Sequence, residues 1–317
     1  SVKRNDKLVQ EGFIDLYVNY KYEGLVPLKD PKPGKYQVRL ALVDGKEQEL
    51  VSREDLSFEK KDEAKVFAKW WNNNIGDAKK VLKPFEPIRV DDDKATVTRR
   101  VYHLDALGLP RQIASNGGSV LSAPARIVVT IGGKEHTVPT KGTIAYTRRT
   151  DWRTEFTGEA RAAGLIFSVK GWMEQDGRVN LDVTYAPEAG PVKVEDLRVE
   201  WPVDGIGGSW MQCIGGVGGN YAPRTIGKVP EGKGRVWDSL TDIGKAGSKM
   251  VLGDWENNLW VGNYDRGLCW FGDDDQGWVP SDETPAHSLY RQGTSVIIRN
   301  HIINLPKGAP AFVLKEP

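Results

Sequence analysis

The chain has 317 residues, 39% of them hydrophobic, and balances 44 basic against 43 acidic side chains. With no basic stripe to neutralise phosphates, nucleic acid is excluded as the expected partner, and no apolar run is long enough to span a bilayer. Two cysteines, Cys213 and Cys269, exclude a disulfide framework; one bridge or two thiols both remain open.

The chain opens on "SVKRNDKLVQ", without an initiator Met or an apolar signal core. That opening fits a removed leader or an excised piece. The dominant period is then two. "GFIDLYVNY" (12–20), "KYQVRLALVD" (35–44), "KATVTRRVYHL" (94–104), "ARIVVTIGG" (125–133) and "GLIFSVKGWMEQDGRVNLDVTY" (164–185) alternate apolar and polar residues. Alternation of this kind marks half-buried antiparallel strands. Tight turns are expected at Asp176-Gly177, at Gly45 and at Gly132-Gly133. Residues 198–201 and "SVIIRNHIINL" (295–305) add later strands.

Helical signal is scarce. "SFEKKDEAKVFAKWW" (57–71) reads either as a helix capped by Ser57, with Phe58, Ala64, Phe67 and Trp71 on one face, or as a strand over "KVFAKWW". So many strands must bury their apolar faces against a second sheet. The expectation is an all-β protein with a small sandwich over residues 1–65 and a large one over 66–317.

The densest chemistry lies in "WVGNYDRGLCWFGDDDQGW" (260–278). Asp273, Asp274 and Asp275 resemble the start of a calcium loop, but the sixth position is Trp278 where glycine is needed. The aspartates read better as a turn, because their side chains bond backbone amides two residues on. No nucleophile elbow, dinucleotide fingerprint or zinc pattern occurs, so no cofactor, metal ligand or catalytic residue is assigned. The histidines, His103, His136, His287 and His301, are dispersed, and each alone reads as a satisfied strand residue.

Aromatic residues carry the remaining signal. Eleven tryptophans are present, and Trp237, Trp255, Trp260, Trp270 and Trp278 crowd together. Sugars stack their C–H faces on aromatic rings and need Asp, Asn and Arg for directed hydrogen bonds. Trp260, Tyr264, Arg266, Trp270, Asp273, Asp274, Asp275 and Trp278 supply that mixture as a candidate carbohydrate-binding set. The opposing reading is a core hairpin with Leu268, Trp270 and Trp260 inward and an acidic tip outward.

The stretch "LWVGNYDRGLCWFGDDDQGWVPSDETPAHSLYRQG" resembles a segment of the β-sandwich region found in glycoside hydrolase family 123. "PKPGKYQVRLALVD", "WWNNNIGDAKKVLKPFEPI", "GLPRQIASNGGSVLSAPARI", "GKGRVWDS" and "IINLP" resemble it in the same order, from about residue 13 to 305. The resemblance implies an immunoglobulin-like sandwich followed by a galactose-mutarotase-like supersandwich. It also implies an exported glycosidase, extracellular or in the cell envelope, acting on N-acetylhexosamine-containing glycans. That family's adjacent Asp–Glu pair sits on a (β/α)-barrel and uses the substrate's own acetamido oxygen, outside the two-carboxylate scheme. No alternating βα pattern occurs in this sequence, and Asp282-Glu283 lies in the sandwich segment "PSDETPA", so the catalytic role is not carried to it.

The expectation is therefore a non-catalytic sandwich pair that supports a catalytic barrel, contacts glycan, or both. Two other classes stay open: a sugar-active enzyme of mutarotase-like fold using the histidines and acids of the large sandwich, and a self-associating structural protein of the envelope.

Overall fold

The computed structural model describes residues 1–13, 17–18, 21–22, 27–28, 31–44, 46, 48–66, 79–141, 144–205, 208–217, 220–241, 255–279, 281 and 283–315. They are almost entirely antiparallel strands, in two compact units, Ser1–Ala78 and Lys79–Pro317. All-β architecture is what the alternation predicted.

The first unit holds a four-stranded sheet in the order Lys7–Gln10, Val2–Arg4, Gly34–Val43, Glu49–Lys60. Asn5 and Asp6 turn its first hairpin at φ 49° and 60°, in the left-handed region that short polar side chains tolerate. Tyr36 is buried, stacks on Phe58 with ring centroids 4.9 Å apart, and donates its hydroxyl proton to the Lys32 carbonyl at 2.6 Å. Residues 57–60 continue the last strand, and a short helix follows at Glu63–Val66. The helix-or-strand question over 67–71 lies outside the described residues, as do Gly45 and most of 12–20.

The second unit is built around a six-stranded sheet. Its order is Lys134–Thr137, Arg126–Ile131, Asp196–Asp204, Ser295–Asn304, His287–Gln292, Gly234–Asp238. Gly132 and Gly133, at φ 59° and 72°, make its first hairpin turn as their lack of a Cβ allows. A five-stranded meander (residues 89–119) and a four-stranded meander (145–187) bury Tyr102, Leu104, Phe156, Phe167 and Met173 against Ile127, Val129, Leu197 and Ile303 of that sheet. A further four-stranded sheet runs Asn220–Lys228, Trp210–Val217, Asn258–Gly262, Gly267–Phe271. It packs Met211, Cys213, Leu259 and Val261 against Val203, Leu289, Val296 and Ile298. The predicted single strand over 94–104 is two, Lys94–Val97 and Arg100–Leu104, because Arg99 takes a left-handed turn at φ 60°.

The central strands Asp196–Asp204 and Ser295–Asn304 are buried on both faces. Leu197, Val199, Trp201 and Val203 face the hydrophobic core, while Asp196, Arg198 and Glu200 alternate with them on the other side. Those charges are fully paired. Arg198 bonds Asp196, Glu200 (2.8 Å) and Glu135 (2.9 Å), and Glu200 also forms ion pairs with Arg126 (2.6 Å) and Arg299 (2.9 Å). Burial alone would raise the Glu200 carboxyl, but hydrogen bonding from Arg198 and the nearby Arg299 charge hold it below the usual carboxylate range. Burial likewise opposes the charge on Arg198, yet the Asp196 charge and the Glu200 hydrogen bond keep its guanidinium protonated more firmly than usual.

Removing one member of such a buried pair leaves an uncompensated charge. Glu200→Ala is expected to lower the unfolding free energy by about 3–5 kcal/mol, whereas Arg126→Ala, at a half-exposed partner, costs less than about 1 kcal/mol. Urea denaturation of the two variants checks the ranking.

Candidate functional site

The segment 258–271 forms a hairpin closed at Asn263–Arg266, not at the aspartates. Asn263 organises that loop by accepting the amide protons of Asp265 (2.8 Å) and Arg266 (2.9 Å) on its side-chain oxygen. The aspartates follow as a second turn, in which the Asp274 carboxylate accepts the Gln276 amide proton at 3.0 Å. This is the predicted bond two residues on.

Cross-strand register decides which side chains share a face. Leu259 pairs with Trp270 and Val261 with Leu268, so these four face the core. Trp260 pairs with Cys269 on the opposite, outward face. The expected inward set Leu268, Trp270 and Trp260 is thus corrected for Trp260, because side chains on one strand alternate. The two cysteines are not joined by a disulfide: Cys213 is buried in the core and Cys269 is exposed on the other face of the same sheet.

A cleft of about 1710 Å³ opens beside this hairpin within the second unit. Its floor is apolar, formed by Phe167, Leu197, Val199 and Trp201. One wall is the edge strand Val179–Pro187, with Asn180, Asp182, Thr184 and Tyr185 along it. The other is the edge strand Gly267–Phe271 and the turn after it, with Trp270, Phe271, Asp273, Asp274 and Trp278. The walls are tied at two points. Arg178 lies between the rings of Trp172 (5.0 Å) and Phe271 (4.8 Å) and reaches Asp273 at 3.5 Å, while the Tyr185 hydroxyl donates to the Gly277 carbonyl at 2.6 Å.

Of the predicted residues, Trp260, Trp270, Asp273, Asp274 and Trp278 line this cleft. Tyr264 stands 94% exposed in the hairpin loop, and Arg266 packs against Gly118; neither lines the cleft. Asp275 lines a separate, much smaller pocket with Trp255, Thr284 and His301. The sequence reading missed the whole wall at 178–185. Its signal was the alternation of Asn180, Asp182 and Thr184 with Leu181 and Val183, which gives an edge strand a row of outward polar groups.

Beneath the cleft Trp270 and Trp278 pack on His287, with ring centroids 5.0 Å and 5.5 Å from the imidazole. His287 is wholly buried. Its Nε2 faces the Glu256 amide N–H at 3.2 Å and its Nδ1 lies 3.0 Å from the Asn300 side-chain nitrogen. The Asn300 oxygen already accepts the Trp201 indole proton at 2.8 Å. Burial, reinforced by the nearby His301, pushes the His287 pKa down to about 3.

His301 sits on the opposite face of its sheet from His287. Its Nδ1 lies 2.7 Å from Asp196, and its Nε2 lies 3.3 Å from the hydroxyl of Ser288. The order Ser, His, Asp is that of a hydrolase triad, but Ser288 has no exposed surface and cannot meet a substrate. The two histidines therefore do not converge on one acid–base site. Among the described residues no group of three or more His, Cys, Asp or Glu side chains is arranged to hold a metal ion, and no helix is long and apolar enough to cross a membrane.

Comparison with known proteins gives one family. Residues 88–278 match the model of glycoside hydrolase 123, third domain, and the match includes both cleft walls. No curated protein matches the chain.

The depressed His287 pKa sets a pH dependence. The unfolded chain takes up this proton below about pH 6.5, but the folded chain does not until about pH 3. Stability should therefore fall as pH drops from 6.5, with His287 adding up to about 1.4 kcal/mol per pH unit. His287→Gln should flatten the slope between about pH 6 and pH 4.5, measured by urea unfolding across that range.

Proposed function

As the chain belongs to the glycoside hydrolase 123 third-domain family, a non-catalytic part of glycoside hydrolases, we propose that its cleft holds N-acetylhexosamine-containing glycan for a catalytic barrel. One observation supports this above the others: a roomy cleft in the family-matched region combines aromatic rings with carboxylates and amides. Aromatic faces take the C–H surface of a pyranose, and pre-aligned carboxylates and amides take its hydroxyls. Asp182 and Asp274 are aligned in this way, Asp182 by the Asn180 amide at 3.2 Å and Asp274 by the Gln276 backbone. The fold is read further as a supersandwich of the mutarotase kind, working outside the cytoplasm, where polymeric glycans are met.

A domain of this kind binds without turning over. The test is calorimetric titration of the chain with oligosaccharides containing N-acetylgalactosamine or N-acetylglucosamine, beside an assay on a chromogenic N-acetylgalactosaminide. Binding without hydrolysis is expected. The exposed-wall variant Asp182→Ala should weaken binding roughly tenfold, the loss of a hydrogen-bonding partner to a sugar hydroxyl, with an unchanged melting temperature. Hydrolysis that persists in Asp182→Ala and is abolished by His301→Ala would instead make the chain an enzyme in its own right. An absence of binding to every sugar would remove the reading.

A further inference from the structure

The outward face of the sheet that carries Trp260 has a geometry of its own. Trp210 pairs with Gly262, Gln212 pairs with Trp260, Trp260 pairs with Cys269, and Asn258 pairs with Phe271. Moving from strand to strand, Trp210, Trp260 and Phe271 are therefore each displaced by two residues along the strand direction. They form one diagonal across three neighbouring strands, on the face opposite Met211, Cys213, Leu259 and Val261. Each diagonal step is about 7–8 Å.

Among the described residues, neither hydrophobic core includes Trp210 or Trp260. Trp260 has a made seat. A Cβ on Gly262 would come within 2.4 Å of its Cζ2, and one on Gly267 within 2.8 Å of its Nε1. The indole thus lies down over the bare backbone of two paired glycines, and it lines the cleft. Trp210 is flanked by Tyr264, the rings 6.3 Å apart, at one end of the diagonal. At the other end Phe271 is 39% exposed and carries the Arg178 guanidinium on its ring, with Asp273 beside it. Gln212, Asn258 and Cys269 are the side chains between the rings.

We infer that this diagonal is the track of the bound glycan, an uncharged chain of about three linked pyranoses, with Trp260 stacking the central ring. The inference rests on the glycan reading of the cleft and adds chain length and direction to it: Trp260 and Phe271 line the cleft, and Trp210 carries the chain beyond it. A step of about 7–8 Å exceeds the width of one pyranose, so successive aromatics serve successive residues of a chain and not one sugar. Arg178 and Asp273 form the end wall, where hydrogen bonding replaces stacking. Amide and thiol groups along the track suit a ligand without net charge better than a sulfated or carboxylated one.

The test is a titration of the intact chain with a length series of one to six N-acetylhexosamine units. Affinity should rise up to three units and then level off. Trp260→Ala should weaken every length roughly tenfold, the scale of one lost ring contact. Trp210→Ala should remove the gain of the third unit and leave the monosaccharide unaffected. Far-UV circular dichroism and melting of each variant establish that it is folded, and Trp260→Phe, which keeps a smaller ring, should recover part of the loss. Binding that does not depend on length, or a Trp210→Ala variant that is neutral at every length, overturns the track while leaving the glycan reading in place. No binding at any length removes both.

Discussion

The second unit is organised by a strand pair that has no solvent side. Asp196–Asp204 and Ser295–Asn304 lie in the middle of the six-stranded sheet, with one face in the hydrophobic core and the other in a charge network. A one-residue slip of either strand would exchange the two sets, placing Arg198 and Glu200 in the apolar core and Leu197 and Val199 among the ions. The ion network contributes little net stability over an apolar packing of the same shape. Its effect is on register, since only one alignment satisfies Arg198, Glu200, Asp196 and His301 together. Both cleft walls and the cleft floor are positioned relative to this pair, the floor directly through Leu197, Val199 and Trp201.

Much of this architecture is written as period-two alternation. The strands Arg126–Ile131, Leu165–Glu174 and Val179–Pro187 coincide with alternating segments, Ser295–Asn304 with the strand expected over 295–305, and Gly177 turns at φ 84° where Asp176-Gly177 predicts it. Two kinds of feature escape that reading. Arg99 breaks a strand without a glycine or proline to announce it. The run Asp196–Glu200 looks like a solvated face with charges at every second position, yet Glu200 has no exposed surface, because its partners arrive from strands as distant as residues 126 and 299. Local pattern records which residues share a face; it does not record what covers that face.

The same limit applies to the site. The tryptophans and aspartates of 260–278 are legible as a sugar-compatible set, and most of them line the cleft. The opposing wall comes from residues 178–185, which meet them only through tertiary pairing of Arg178 with Phe271 and Asp273, and of Tyr185 with Gly277. The outward position of Trp260 follows from its alternation with the buried Leu259 and Val261, and the loop at Asn263–Arg266 sets the register that puts Trp270 across from Leu259, on the other face.

The two cysteines show what such parity means for covalent chemistry. They sit on the same four-stranded sheet, two strands apart, but Cys213 points into the core and Cys269 points away from it. Side-chain vectors that diverge through a sheet cannot be bridged without moving the backbone. In surroundings that oxidise thiols, this sheet therefore gains no internal crosslink, and it loses none where thiols stay reduced. A disulfide made through Cys269 cannot be closed within this sheet, so oxidation there reaches only what meets the outer face and leaves the fold of the sheet itself unchanged.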